Sequence, residues 1–311
     1  MDETRDSDTG SDAMLGGLSE ADFTELRRSE IAVEGPGEAL QEVGLSGKER
    51  RLPFFIRDRA TGPLMDLGAA QRTSACRARG FLSPADIARL QACAEVAKPL
   101  VGMLSRDGQA RRTSATGEKA IWHTHYLHTD GFIQHEWPEL CARLGALAQR
   151  VDAESGWGLL DTLPLGGALA GPGAAAAEGT VNVRVCEYHE YFSAGALEQR
   201  RHYDAGSLVT IGIMLSDPQR DFLGGAFQTL EPDGTMRTHE YELGDAIVFV
   251  SHKYHSVAPI TSGRRNVLIT EIWKGPERSC AHRCLDPRAD CSFTARDSRA
   301  ETAQLPTSHE E

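Results

Sequence analysis

Residues 180–192 read TVNVRVCEYHEYF. Val181, Val183 and Val185 alternate with Asn182, Arg184 and Cys186, a period of two that sends successive side chains to opposite faces of a β-strand. Downstream, Leu208–Leu215, Ala226–Leu230, Ala246–Val250 and Asn266–Trp273 are further short runs with β-branched content. Turn-forming groups separate them: Ser216-Asp217-Pro218, Gly224-Gly225, Pro232-Asp233-Gly234, Gly244-Asp245 and Ser262-Gly263. No helical period intervenes. The spacing therefore predicts an antiparallel sandwich or barrel of the jelly-roll kind over residues 180–275, not a parallel sheet.

Upstream of Thr180 the period is helical. Ser83 can cap a helix whose first position suits Pro84. Ile87, Leu90, Ala94 and Ala97 continue it until Pro99, which is expected to stop the run. A second helix is expected from about Trp137 to Ala153, with Leu140, Leu144, Leu147 and Val151 as its apolar stripe. Residues 163–180, LPLGGALAGPGAAAAEGT, read as a flexible Gly/Ala surface insertion. The fold class is thus α+β: flanking helices over 80–155, then a jelly-roll core over 180–275, together one domain spanning 51–275.

The chain has 311 residues and a formal charge of −12. Residues 1–50 carry −8 of it and residues 296–311 carry −2, which leaves −2 for the middle. The first 50 residues hold too little apolar surface to offset chain ordering and are expected to be a disordered acidic tail, with a short helix around Glu20–Arg28. Residues 276–311 are read as a C-terminal tail. No basic patch supports nucleic-acid binding. No run approaches the roughly 20 apolar residues needed to span a bilayer, and the start MDETRDSDTGSD has no signal-peptide pattern. A cytoplasmic protein with no membrane partner is expected.

Two His-x-Asp triplets occur, His128-Thr129-Asp130 and His202-Tyr203-Asp204. About 0.7 would occur by chance at this composition, so the triplet alone decides nothing. Context decides. His and Asp two apart on a strand point to one side. A second His from a distant strand would complete the two-imidazole, one-carboxylate face that holds non-haem Fe(II) and leaves positions open. His255 follows Asp204 after three strands joined by turns. Arg265, ten residues further on, opens the last strand with a planar fork suited to a carboxylate. For the rival set, His128, Asp130 and His189 with Arg200, the intervening chain is a helix and the Gly/Ala segment. His252 competes with His255, and Arg264 with Arg265; neighbours on a strand face opposite ways.

From Gly80 to Trp273 the sequence resembles the prolyl 4-hydroxylase-like branch of the Fe(II)/2-oxoglutarate dioxygenases. The resemblance is carried by Phe81-Leu82-Ser83-Pro84, His202-x-Asp204, Leu215-Ser216-Asp217, Phe222-Leu223-Gly224-Gly225-Ala226-Phe227, Gly244 to Phe249, and His255-Ser256-Val257-Ala258-Pro259 through Arg265. It assigns the distal ligand to His255 over His252 and the basic residue to Arg265 over Arg264. It implies a double-stranded β-helix (jelly-roll) core and an Fe(II) held by His202, Asp204 and His255. It further implies 2-oxoglutarate paired by Arg265, O2 as oxidant and ascorbate as an accompanying reductant. The implied reaction hydroxylates a C–H bond of a peptide, such as a peptidyl proline, or of a small molecule, and converts 2-oxoglutarate to succinate. Tyr188 resembles a family tyrosine that approaches the co-substrate. Two departures stand out: Val267 where Ser or Thr is frequent, and Met214 where Tyr is frequent. These leave room for a catalytically inactive jelly-roll module. A cupin-type metalloprotein of other chemistry is a third reading.

Two further clusters remain. Cys280-Ala281-His282-Arg283-Cys284, with Cys291 beyond, could bind zinc, form a disulfide or stay as thiols. The His-rich stretch Trp122 to His128 is read as a strand or loop beside the barrel mouth. Substrate choice is expected from residues 100–136 and 189–201.

Overall fold

The computed structural model describes residues 30–31, 67–104, 109–113, 120–175, 177 and 179–284. The expected helix at Glu20–Arg28, the rest of the acidic tail and Cys291 lie outside the described residues. β1 (Glu30–Ile31) and α1 (Leu67–Gln71) precede β2 (Cys76–Ala78) and α2 (Pro84–Leu104). At the start of α2 the Asp86 N–H donates to Ser83 Oγ at 3.2 Å and the Ser83 N–H donates to Asp86 Oδ2 at 3.1 Å, a reciprocal cap that satisfies two otherwise unpaired donors. Pro99 does not end this helix, which runs on to Leu104; a proline removes one backbone bond there, and the buried Ile87, Leu90, Ala94 and Ala97 hold the preceding turns.

β3 (Gln109–Thr113) and β4 (Ala120–Tyr126) form a hairpin, so the His-rich stretch is largely strand. α3 (Phe132–Glu136) and α4 (Pro138–Ser155) follow. Leu140, Leu144, Leu147 and Val151 are buried along α4, as their spacing predicts, and Gly156 closes the helix in the left-handed conformation at φ 65°. Residues 163–175 depart from the reading as a flexible insertion. They contain a 3-10 turn at Gly167–Ala170 whose Leu169 is buried against α4. Gly145 makes room for it: a Cβ there would lie 2.8 Å from Leu169 O.

The remaining strands are β5 (Val181–Tyr191), β6 (Leu197–His202), β7 (Val209–Met214), β8 (Phe222–Gly224), β9 (Phe227–Leu230), β10 (Met236–His239), β11 (Ala246–Val250), β12 (His255–Val257), β13 (Ile260–Gly263) and β14 (Arg265–Lys274). All pairings between these strands are antiparallel; Leu165 adds an isolated parallel bridge to Val181. One sheet has the order β2-β11-β7-β14-β5-β4-β3, the other β1-β10-β9-β12-β6, and β13 pairs with β8. This is an α+β jelly-roll with helices before the core.

The larger sheet is covered on both faces, which is why all of β5, β7 and β11 is buried. Its outer face packs Ile211, Ile213 and Leu268 with helical residues such as Leu90 and Leu144. Its inner face contributes Tyr191, Ile247, Phe249 and Val267 to a second cluster with Phe227, Tyr241 and Val257. A buried Arg77 on β2 donates to Asp245 Oδ2 at 2.7 Å, and Asp245 also accepts the Gly80 and Glu242 N–H groups at 2.8 and 2.9 Å. The Gly244-Asp245 turn is thereby tied to the edge strand.

Residues 276–284 are not a loose tail. The Arg278 N–H donates to Val183 O at 3.0 Å and Ser279 O accepts from the Asp130 N–H at 2.7 Å, so this segment lies along the start of β5 as a strap.

His239 gives the fold a pH dependence. Burial, with Arg237 and Lys253 nearby, pushes it down to about 4 from 6.5. The unfolded chain therefore takes up a proton that the folded chain refuses, and stability falls as pH drops from about 6.5 to 4, by at most about 3 kcal/mol. In equilibrium unfolding, the stability difference between wild type and His239→Gln should shrink by that amount across this window. A constant difference would contradict it.

Candidate active site

A cavity of about 540 Å³ lies between the two sheets. His202 ends β6 and His255 opens β12, and the two are register partners across that pair. Their rings lie 4.9 Å apart, nearly perpendicular. Asp204 follows β6, its N–H donating to Ser251 O at 2.8 Å. His202 Nε2 is 3.3 Å from Asp204 Oδ1, and His255 Nε2 is 3.7 Å from Asp204 Oδ2. The three side chains present ligand atoms all within 4.8 Å of one another. Two imidazoles and one carboxylate on one side of a cavity fit a first-row divalent ion such as Fe(II).

Outer contacts orient these groups. His255 Nδ1 lies 3.0 Å from Lys253 O; an Nδ1–H donated there leaves the Nε2 lone pair facing Asp204. Burial pushes His255 below its ordinary value, against the pull of Asp204, so the ring is neutral, as ligation requires. Thr210 Oγ1 donates to Asp204 Oδ2 at 2.8 Å and contacts Ser251 Oγ at 2.8 Å. Burial would raise the Asp204 carboxyl, but His255, the hydrogen bond from His202 and Arg283 outweigh it and hold it well below the usual range.

Arg265 stands in the same cavity, at the start of β14. It is 2% exposed, whereas the Arg264 side chain is 57% exposed and pairs with Glu190 at 3.5 Å. Tyr191 and Tyr241 flank Arg265, with ring centres 5.4 and 5.8 Å from its guanidinium carbon. No carboxylate pairs with it among the described residues, and its Nε is buried without a partner, as is the Tyr241 hydroxyl. Burial pushes the guanidinium below its ordinary value. Gly225, at φ +68°, permits the approach: a Cβ there would lie 3.0 Å from Arg265 Cδ.

Tyr188 requires a correction. It belongs to the helix-side cluster, with its ring 6.3 Å from His125. β5 turns Glu187, His189 and Tyr191 into the cavity, and alternation sends Tyr188 the other way. The tyrosines beside Arg265 are Tyr191 and Tyr241. Met214 packs in the inner cluster, while the cavity wall on β7 is Thr210 and Gly212. The Tyr241 hydroxyl lies 2.8 Å from where a Cβ on Gly212 would be, so the ring fills space left by the glycine. The rival set does not converge. His128 Nδ1 lies 3.1 Å from both the N and O of Cys186, and His189 pairs with Glu187 at 3.0 Å.

The sequence reading missed Arg283. This strap residue lies 2.8 Å from Glu187, 2.6 Å from Glu271 and 3.5 Å from Asp204 Oδ1. Arg184 pairs with Glu271 at 2.8 Å from the other side. The alternation of β5 predicts Glu187, His189 and Tyr191 on one face; nothing local announces that Arg283 returns to meet them.

The chain is similar to solved 2OG-Fe(II) oxygenases. A prolyl-4-hydroxylase from Pseudomonas putida is 17% identical, covering 67% of this chain and 99% of that chain, with a TM-score of 0.42. A 2OG-Fe(II) oxygenase family protein from Burkholderia pseudomallei is 14% identical, covering 65% and 86%, with a TM-score of 0.39. The non-heme alpha-ketoglutarate-dependent epimerase SnoN of nogalamycin biosynthesis is 16% identical, covering 79% and 90%, with a TM-score of 0.44. No family model and no curated protein matches the chain.

Thr210 supplies a direct test of the metal centre. Thr210→Val keeps the shape and removes the donor to Asp204 Oδ2. Mn(II) titration followed by electron paramagnetic resonance should show metal affinity about 10-fold weaker or more. Unchanged affinity would exclude this support.

Proposed function

We propose that this chain is a non-haem Fe(II)/2-oxoglutarate-dependent dioxygenase that hydroxylates a C–H bond of an organic substrate. One observation carries the reading. Two buried donors that have no partner among the described residues, Arg265 Nε and the Tyr241 hydroxyl, share one cavity with the His202, Asp204 and His255 cluster. Each unpaired buried polar group costs free energy, and a carboxylate would relieve both.

Charge supports a dicarboxylate. Within the buried ion-pair network behind the cavity, Asp204, Glu187 and Glu271 face Arg184 and Arg283, which leaves one negative charge; the other lining carboxylate, Glu198, is exposed to solvent. A divalent ion and Arg265 would convert this to two positive charges, which 2-oxoglutarate would neutralise. In this reading His202, Asp204 and His255 hold the iron, Arg265 binds the far carboxylate and Tyr241 donates to it. Bound iron would supply O2 activation and the oxidising power. The chain's own work is to orient the co-substrate, keep His255 neutral and exclude water behind the aromatic wall of Tyr191, Phe227 and Phe249. Ile121, Ala194, Leu197 and Gln199 line the cavity from the β4, β5–β6 and β6 segments, where a substrate would enter; a peptidyl proline is one such class. No residue is assigned to ascorbate.

The test is succinate release from 2-oxoglutarate with Fe(II) and O2. Wild type should turn over, and His202→Ala and Asp204→Ala should fall to background. Equal release from all three would refute the reading. Metal binding with no turnover would favour the inactive jelly-roll module.

A further inference from the structure

The strap carries a second set of ligands, of different chemistry, that the jelly-roll site does not use. Cys280, His282 and Cys284 present two sulfurs and an imidazole nitrogen within 4.8 Å of one another. Both cysteines are buried, at 6% and 2% exposed, and neither is in a disulfide. The backbone around them is already held: Ser279 O accepts from the Asp130 N–H, His282 O lies 3.4 Å from His128 Nε2, and Cys284 O accepts from Arg184 at 3.3 Å. No helix or strand includes these residues.

We propose that Cys280, His282 and Cys284 form a binding site for a thiophilic divalent cation of the zinc class. Zn–S bonds of about 2.3 Å and Zn–N bonds of about 2.0–2.1 Å place tetrahedral ligands under about 4 Å apart. Ligand atoms within 4.8 Å therefore need to close by about 1 Å. The donor set selects the ion. Two thiolates and an imidazole suit zinc or cobalt, while the two imidazoles and carboxylate at the cavity suit iron or manganese. The two sites need not compete.

The position of this site gives it a consequence. Arg283 lies between two of its ligands, and its guanidinium is the group that joins Glu187, Glu271 and Asp204. An ion bound by His282 and Cys284 fixes the backbone on both sides of Arg283, and so fixes one wall of the cavity. The metal site itself stands on the strap's residues and holds whether or not the cavity turns over 2-oxoglutarate.

Cobalt(II) added to the reduced, metal-stripped full chain should give a thiolate-to-cobalt charge-transfer absorption that saturates at one ion per chain. The band should persist in His202→Ala/Asp204→Ala and vanish in Cys280→Ala/Cys284→Ala. Because the cysteine variant can fail to fold, a second readout uses wild type alone. Zinc should slow alkylation of Cys280 and Cys284 together, as read by peptide mass spectrometry, and leave Cys93 unaffected. A band that survives loss of both cysteines, equal alkylation with and without zinc, or a Cys280–Cys284 disulfide that persists in excess zinc would each overturn the proposal.

Discussion

The register between β6 and β12 is the constraint on which the site depends. It sets His255 opposite His202 and so joins two residues far apart in sequence on one rim. A slip of one residue would turn His255 to the other face. Two features hold the register. β12 is also paired with β9, where His255 faces Thr229 and Val257 faces Phe227. Val257 and Phe227 then belong to the inner apolar cluster, so a slip would also expose core side chains.

Around that rim, polar burial is deliberate in its placement. Most buried charge in the core is paired: Arg77 with Asp245, Arg184 with Glu271, Arg283 with three carboxylates. Arg265 has no carboxylate partner among the described residues and is held between two tyrosine rings. Cation–π contact offsets only part of the cost of burying a guanidinium. In the proposed reading, the cost of that burial is what an anion in the cavity would relieve, in a chain whose surplus negative charge lies mainly in its terminal segments.

The period of two after Thr180 made the jelly-roll legible, because one face of each strand must meet the core. The His-x-Asp pair gained meaning only from the strands that follow it. The residues alone left Arg264 and Arg265 open; the family resemblance pointed to Arg265, which is the buried one of the two. Tyr188 was misread because the family resemblance was followed against parity along β5: Glu187 and His189 face inward, so Tyr188 does not. The Gly/Ala segment looked flexible by composition, yet Leu169 and the small Gly145 let it pack. The strap's ligand-type residues were legible, but the partners of Arg283 on β5 and β14 were not. Residue identity reveals a face or a turn, but not which distant carboxylates a returning arginine will meet.

The central claim is that Arg265 awaits the far carboxylate of a metal-bound keto acid. Calorimetric titration of the Mn(II)-loaded chain with 2-oxoglutarate and with 2-oxobutyrate, which lacks that carboxylate, tests it directly. Wild type should bind 2-oxoglutarate more tightly by about 30-fold or more, matching roughly 2 kcal/mol or more for a buried charge pair. Arg265→Leu should bind both alike. Equal affinity of wild type for the two acids would contradict it.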